Sequence, residues 1–150
     1  MFERFTEPAR RALFFARAKT SQRRGDSITP EDLLGGILWV VPDVIVRLSS
    51  GPATMVAPME AADDYMRLTE DDGWVAHSSK EIPFSDAIKL VLIRSCEEAD
   101  ALGHEPVRPE HLILGLLREE GSEAWGTLRR AGVTLREARR ILGEEPRDQS

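Results

Sequence analysis

The hydrophobic positions of this chain recur at helical spacing in two similar segments. Residues 5–38 read FTEPARRALFFARAKTSQRRGDSITPEDLLGGIL, and residues 84–117 read FSDAIKLVLIRSCEEADALGHEPVRPEHLILGLL. The segments align without a gap at an offset of 79 residues. Repeated units bury their apolar faces against each other, so the pattern predicts two similar halves with one shared core.

Each segment predicts a long amphipathic helix at its start. Thr6 and Ser85 are small hydroxyl residues placed to cap these two helices, and an acidic residue follows each of them. Apolar residues then recur on one face of each predicted helix. In the first helix they are Phe5, Ala9, Ala12, Leu13 and Ala16; in the second they are Phe84, Ile88, Val91, Leu92 and Ala99.

A second helix is predicted in each copy, starting at Thr29-Pro30-Glu31-Asp32 and at Pro109-Glu110, with proline in the first turn. Gly36 and Gly115 lie inside these helices at a cost in helix propensity, which predicts close packing against a neighbouring helix.

Shorter helices are predicted around 42–50 and 122–131, and another is predicted near 55–67. A Thr134…Glu137 capping box predicts a last helix that ends at Leu142. We expect repeat one to span about 5–67, an acidic connector about 68–81, repeat two about 82–143 and a frayed tail 144–150. No convincing strand pattern is present.

The composition narrows the class of protein only slightly. The chain has 150 residues, 41% of them hydrophobic and 31% charged, which is typical of one globular domain. No apolar run reaches the ~18 residues of a membrane span, and the N-terminal MFERFTEPAR lacks the apolar core of a signal peptide. The lone Cys96 excludes a disulfide framework and favours a cytoplasmic protein. The net charge of −6 argues against nucleic acid as the main partner.

Several stretches together resemble a known family. MFERFTEPARRAL, IPFS, LGH, PEHLILGLLRE and AGVTLREAR are similar to the N-terminal double repeat of Clp-type AAA+ unfoldases of the ClpA/ClpC class, and resemble the ClpC branch most. The resemblance implies an all-α fold, a pseudo-twofold bundle of two four-helix repeats. It also implies a docking module for protein substrates and adaptors.

Two features qualify the resemblance. The acidic glycine loop of the family is replaced in the first copy by Trp39-Val40-Val41-Pro42-Asp43, whereas the second copy keeps a version, Arg118-Glu119-Glu120-Gly121-Ser122. No G-x-x-x-x-G-K-[ST] sequence is present, so we expect no ATP hydrolysis, no cofactor and no enzymatic activity. The chain is expected to be either a stand-alone protein, which its charged tail slightly favours, or the head of a longer unfoldase.

The resemblance also implies candidate ligand-binding residues, namely Thr6, Glu31, Ser85 and Glu110. In ClpC-like heads the matching residues resemble a pair of sites for phosphoarginine. A helix N-terminus with a hydroxyl suits the phosphate, and a carboxylate can accept two N–H bonds from the guanidinium. We expect Thr6 to pair with Glu31 and Ser85 with Glu110, with the second copy as the better site. The alternative is that all four residues only stabilise helix starts.

The sequence gives weaker support for a metal site, a catalytic site or a nucleic-acid interface. His104, Glu105, Glu110 and His111 match no standard zinc spacing, so no metal is expected. Glu31 and Glu110 as paired catalytic acids are also disfavoured. The first helix carries many arginines but no aromatic stacking platform, so nucleic acid is an unlikely partner. The remaining partners are substrates or adaptors of a Clp protease, or the Clp ATPase itself, whose assembly a stand-alone regulator would shape.

Overall fold

The computed structural model describes residues 2–49 and 82–144, which form seven α-helices and no strand. A short 3-10 turn, Phe2–Arg4, precedes the first helix. The helices are α1 Glu7–Gln22, α2 Pro30–Val40, α3 Val44–Leu48, α4 Asp86–Ala101, α5 Pro109–Leu117, α6 Glu123–Arg130 and α7 Leu135–Gly143. The all-α prediction is confirmed. The helix predicted near 55–67, the connector and Trp74 lie outside the described residues.

Among the described helices, the most extensive contacts are those of α1 with α2 and of α4 with α5, one pair in each half. Two glycines allow these close approaches. A Cβ at Gly36 would lie 2.2 Å from the backbone oxygen of Ala12 in α1, and a Cβ at Gly115 would lie 2.5 Å from the backbone oxygen of Val91 in α4. The predicted close packing of both glycines is therefore confirmed.

Two short backbone bridges connect the halves with pseudo-twofold symmetry. Thr6 N donates to Val107 O at 3.0 Å, and Ser85 N donates to Ile28 O at 3.0 Å. Val107 N and Ile28 N complete the bridges by donating to Arg4 O and Pro83 O. Each bridge joins the start of the long helix of one half to the segment that leads into the second helix of the other half.

The core is continuous across both halves. Side chains from every helix contribute to it, and among its largest fully buried members are Ile28, Leu33, Ile37, Leu112 and Ile113. Helix α3 of the first half also packs against α7 of the second. Among the residues described, no helix is both long and apolar enough to cross a bilayer.

Local signals gave most of the helix starts correctly. Thr6 and Ser85 accept a backbone N–H in the first turn of their helices, as expected, and Thr29 and Ser122 do the same. At Thr134 the threonine also caps its helix, but Glu137 does not complete the box. The Glu137 side chain forms an ion pair with Arg140 instead, since the arginine lies one helical turn away.

Candidate functional site

An open groove lies where three helix starts of different halves converge, at the N-termini of α2, α4 and α6. Its volume is about 620 Å³. We call it the Ser85–Glu31 groove. The bridge between Ser85 and Ile28 places the start of α4 beside the start of α2. The lining residues are Thr29, Pro30, Glu31, Ser85, Ala87, Glu119, Glu120, Gly121, Ser122 and Glu123.

The polar groups of this groove have defined local partners. Ser85 Oγ accepts from Ile88 N at 3.2 Å, so the hydroxyl caps α4. Glu31 is half-buried, and its Oε2 accepts from Ala124 N at 3.0 Å, which caps α6 from another helix. A carboxylate and the positive end of α4 thus face one opening, an arrangement that suits a ligand carrying both a cation and an anion.

The symmetry-related pair, Thr6 and Glu110, is arranged differently. The bridge to Val107 places Thr6 beside the segment leading into α5, which carries Glu110. Glu110 is buried, and Arg47 of α3 forms an ion pair with it, Nη2 to Oε2, at 2.9 Å. The structure therefore relates these residues across the two halves, Ser85 with Glu31 and Thr6 with Glu110. The pairing within each half that the sequence suggested is wrong.

The Ser85–Glu31 groove is strongly acidic. Besides Glu31, the side chains of Glu119, Glu120 and Glu123 line it. Arg94 pairs with Glu119 at 2.9 Å and so offsets one of these charges. The remaining negative charge favours a cationic group, such as a guanidinium, in the ligand.

A second, apolar groove runs along α1. Its volume is about 410 Å³, and Leu13, Phe14, Ile28 and Phe84 provide its apolar lining, with Arg10 and Arg17 as the polar members. Phe14 is 44% exposed, and Ile93, its equivalent on α4, is similarly exposed. Apolar side chains exposed beside arginines are typical of a docking surface for a partner that carries acidic and apolar residues.

The two histidines that raised the question of a metal form a buried pair. The His104 Nδ1 and His111 Nε2 atoms lie 3.0 Å apart. Arg108 N donates to His111 Nδ1 at 2.9 Å, so Nδ1 is an acceptor and the proton of neutral His111 lies on Nε2, directed at His104. Burial, reinforced by the charge of Arg108, lowers the pKa of His111 to about 4. Among the residues described, no group of three or more metal-binding side chains is present.

The first half has an acid where the second has His111. Asp32 occupies the equivalent position and accepts hydrogen bonds from Thr20 Oγ1, Arg23 and Thr29 N. Burial raises the pKa of Asp32, but the bonds from Arg23, Thr20 and Thr29 outweigh it and the net shift is downward. The two halves thus place different polar residues at the same buried position, and each residue has its own hydrogen-bond partners.

Sequence reasoning missed Arg47 and the role of Glu31 at α6. Arg47 lies in the segment where the first copy diverges from the second, so aligning the two copies could not predict its contact with Glu110. Its spacing of four residues from Asp43, with which it forms an ion pair at 3.4 Å, was the available signal. The contact between Glu31 and Ala124 spans 93 residues and has no local signal.

Comparisons with known proteins agree with this architecture. Residues 83–149 match the family described as Clp repeat (R) N-terminal domain. The chain is 33% identical to an ATP-dependent Clp protease ATP-binding subunit ClpA homolog of Guillardia theta and to the chloroplastic chaperone protein ClpC of Pisum sativum, in each case over 96% of this chain. It spans only 18% and 16% of those relatives.

A solved structure supports the fold over both halves. The N-terminal domain of the caseinolytic protease associated chaperone ClpD from Arabidopsis thaliana superposes with a TM-score of 0.63 at 22% identity, covering 95% of this chain and 96% of that one. The family match and the relatives lead to one conclusion: this chain carries a Clp repeat at residues 83–149 and is homologous to the N-terminal region of ClpA- and ClpC-type proteins, and its fold is that of the ClpD N-terminal domain.

Proposed function

We propose that this chain is a non-enzymatic binding module that recruits protein substrates or adaptors to a Clp protease system, and that its Ser85–Glu31 groove reads phosphorylated arginine. The observation that carries the proposal is the convergence of the Glu31 carboxylate and the N-terminus of α4 on one open groove. Both parts of phosphoarginine have a complementary group there.

The ligand would bind in one orientation. Its phosphate would lie at the first turn of α4, where the backbone N–H groups of Asp86 and Ala87 point outward from the helix end and the dipole is positive. Its guanidinium would lie against Glu31, with Glu119 and Glu120 adding negative charge nearby. The reverse orientation would place a phosphate among carboxylates, which is unfavourable.

Calorimetric titration with phosphoarginine tests the proposal. Glu31→Gln keeps an oxygen to accept the Ala124 N–H bond but removes the charge that the guanidinium needs. A charge-assisted contact contributes roughly 1.5–3 kcal/mol, so this change should weaken binding about tenfold or more. Glu97→Gln, on the exposed surface of α4, is the matched control and should leave affinity unchanged.

Separate titrations with arginine and with inorganic phosphate should each give much weaker binding, because each lacks one of the two contacts. Undetectable binding of phosphoarginine to the wild-type chain at millimolar concentration would refute the proposal. Equal binding by wild type and Glu31→Gln would refute the role of Glu31.

The apolar groove on α1 supports a second candidate function, docking on the Clp ATPase as a regulator of its assembly. Exposed Phe14 between Arg10 and Arg17 is the observation that favours it. Phe14→Ser should abolish co-purification of Clp subunits with the chain while leaving phosphoarginine binding intact. Retention of Clp subunits by Phe14→Ser would remove this groove from consideration.

A further inference from the structure

We infer that Arg47 acts as an internal guanidinium ligand of Glu110, which closes the Thr6–Glu110 site and leaves the Ser85–Glu31 groove as the open member of the symmetry-related pair. The inference rests on the proposed function, because it assumes that a guanidinium is the group these carboxylates recognise. It predicts one bound ligand per chain, although the repeat provides two similar sets of residues.

The geometry at Glu110 is that of an occupied site. The Arg47 Nη2 atom lies 2.9 Å from Glu110 Oε2, and the Glu110 side chain is only 9% exposed. Arg47 itself is 37% exposed and also pairs with Asp43 through its Nε atom. Because Glu110 is buried and Arg47 lies against its Oε2 atom, an external guanidinium would have to displace Arg47 to reach that oxygen.

The second half has no counterpart of Arg47. At the corresponding turn, α6 carries Gly126 and Thr127, neither of which is basic. The arginines of α6 lie further along the helix, where Arg129 stacks on the Trp125 ring and Arg130 donates to Thr127 Oγ1.

Glu31 consequently differs from Glu110 in its surroundings. Glu31 accepts a backbone N–H from Ala124, is half-buried, and lines the open groove. The pair formed by Arg47 and Glu110 shows how a guanidinium is held by a glutamate at the start of the second helix. By symmetry it indicates where an external guanidinium would bind at Glu31.

Calorimetric titration with phosphoarginine, read for stoichiometry, tests the inference. The wild-type chain should bind one equivalent. Arg47→Met keeps much of the apolar stem of the side chain and removes the charge, so it should bind two. The affinity of the original site should change by less than about twofold, since the two sites are separate. Adding Glu110→Gln to Arg47→Met should return the stoichiometry to one.

A wild-type measurement covers the case in which Arg47→Met does not fold. In an NMR titration of the intact chain, the amide signals of Asp86 and Ala87 at the start of α4 should shift. Those of Glu7 and Ala9 at the start of α1 should not.

The outcomes separate the inference from the proposed function. Two equivalents on the wild type, or one equivalent on both the wild type and a folded Arg47→Met chain, would refute the inference and leave the function standing. No binding by wild type but one equivalent on Arg47→Met, lost with Glu110→Gln, would support the inference and refute the function assigned to the Ser85–Glu31 groove. No binding by either chain would refute both.

Discussion

Acid should destabilise this domain through His111 as the pH falls below about 6.5. The side chain is fully buried and neutral, and burial lowers its pKa to about 4 in the folded chain, against 6.5 when unfolded. Between these values the unfolded chain binds more protons, so the free energy of unfolding falls as pH falls. The contribution is complete above pH 6.5 and is lost as pH approaches 4. From pH 7.5 to 4.5 the loss is about 2.5 kcal/mol.

Urea denaturation at pH 7.5, 6.5, 5.5 and 4.5 measures this loss. The matched variant is His111→Asn, because the asparagine oxygen can accept the Arg108 N–H bond that His111 Nδ1 now accepts, and it does not titrate. Groups that do not contact position 111 contribute equally to both chains, so the difference between the two curves reports the loss of this histidine. The variant should lose about 2 kcal/mol less than wild type over this range. Parallel stability curves for the two chains would refute the reasoning.

Three further predictions follow from the packing. Gly115→Ala should destabilise the chain by about 1–3 kcal/mol in urea denaturation, because the new Cβ would overlap the α4 backbone. The control is Gly143→Ala, whose Cβ would lie 3.6 Å from a side chain, and it should leave the free energy of unfolding unchanged. Leu92→Ala should cost about 2–5 kcal/mol by the same measurement, since Leu92 is buried in the core, and a change below 1 kcal/mol would contradict that burial. Fragments 1–75 and 80–150 should not fold separately, because the bridges and the core span both halves; a sharp thermal transition in either fragment alone would contradict this.

The helix starts could be predicted because their signals are local. The hydroxyls of Thr6 and Ser85 each accept a hydrogen bond from the backbone N–H three residues later. Such a cap can be recognised from the residues of a single helical turn. The glycines at 36 and 115 were equally informative, because their cost in helix propensity requires a compensating contact. The repeat then located the second copy from the first.

The arrangement of the candidate site could not be predicted in the same way. The repeat gives two sets of residues but does not say whether a hydroxyl meets the glutamate of its own half or of the other half. The two backbone bridges decide this, and they join residues of different halves that are far apart in the sequence, such as Thr6 with Val107 and Ser85 with Ile28, only after folding. Isolated bridges of one residue pair have no periodic pattern for the sequence to show.

The two halves have similar backbones but different polar residues, so their polar sites differ. The same buried position holds His111 in one half and Asp32 in the other, and of these two residues only His111 makes the free energy of unfolding fall between pH 6.5 and pH 4. At the start of the second helix, Glu110 faces Arg47, whereas Glu31 faces an open groove. Substitutions at these few polar positions leave the shared core intact, because the apolar contacts and glycine approaches are kept in both halves. Under the proposed function, divergence between the copies changes the number of ligands bound without changing the fold, so stoichiometry is the most direct test of that proposal.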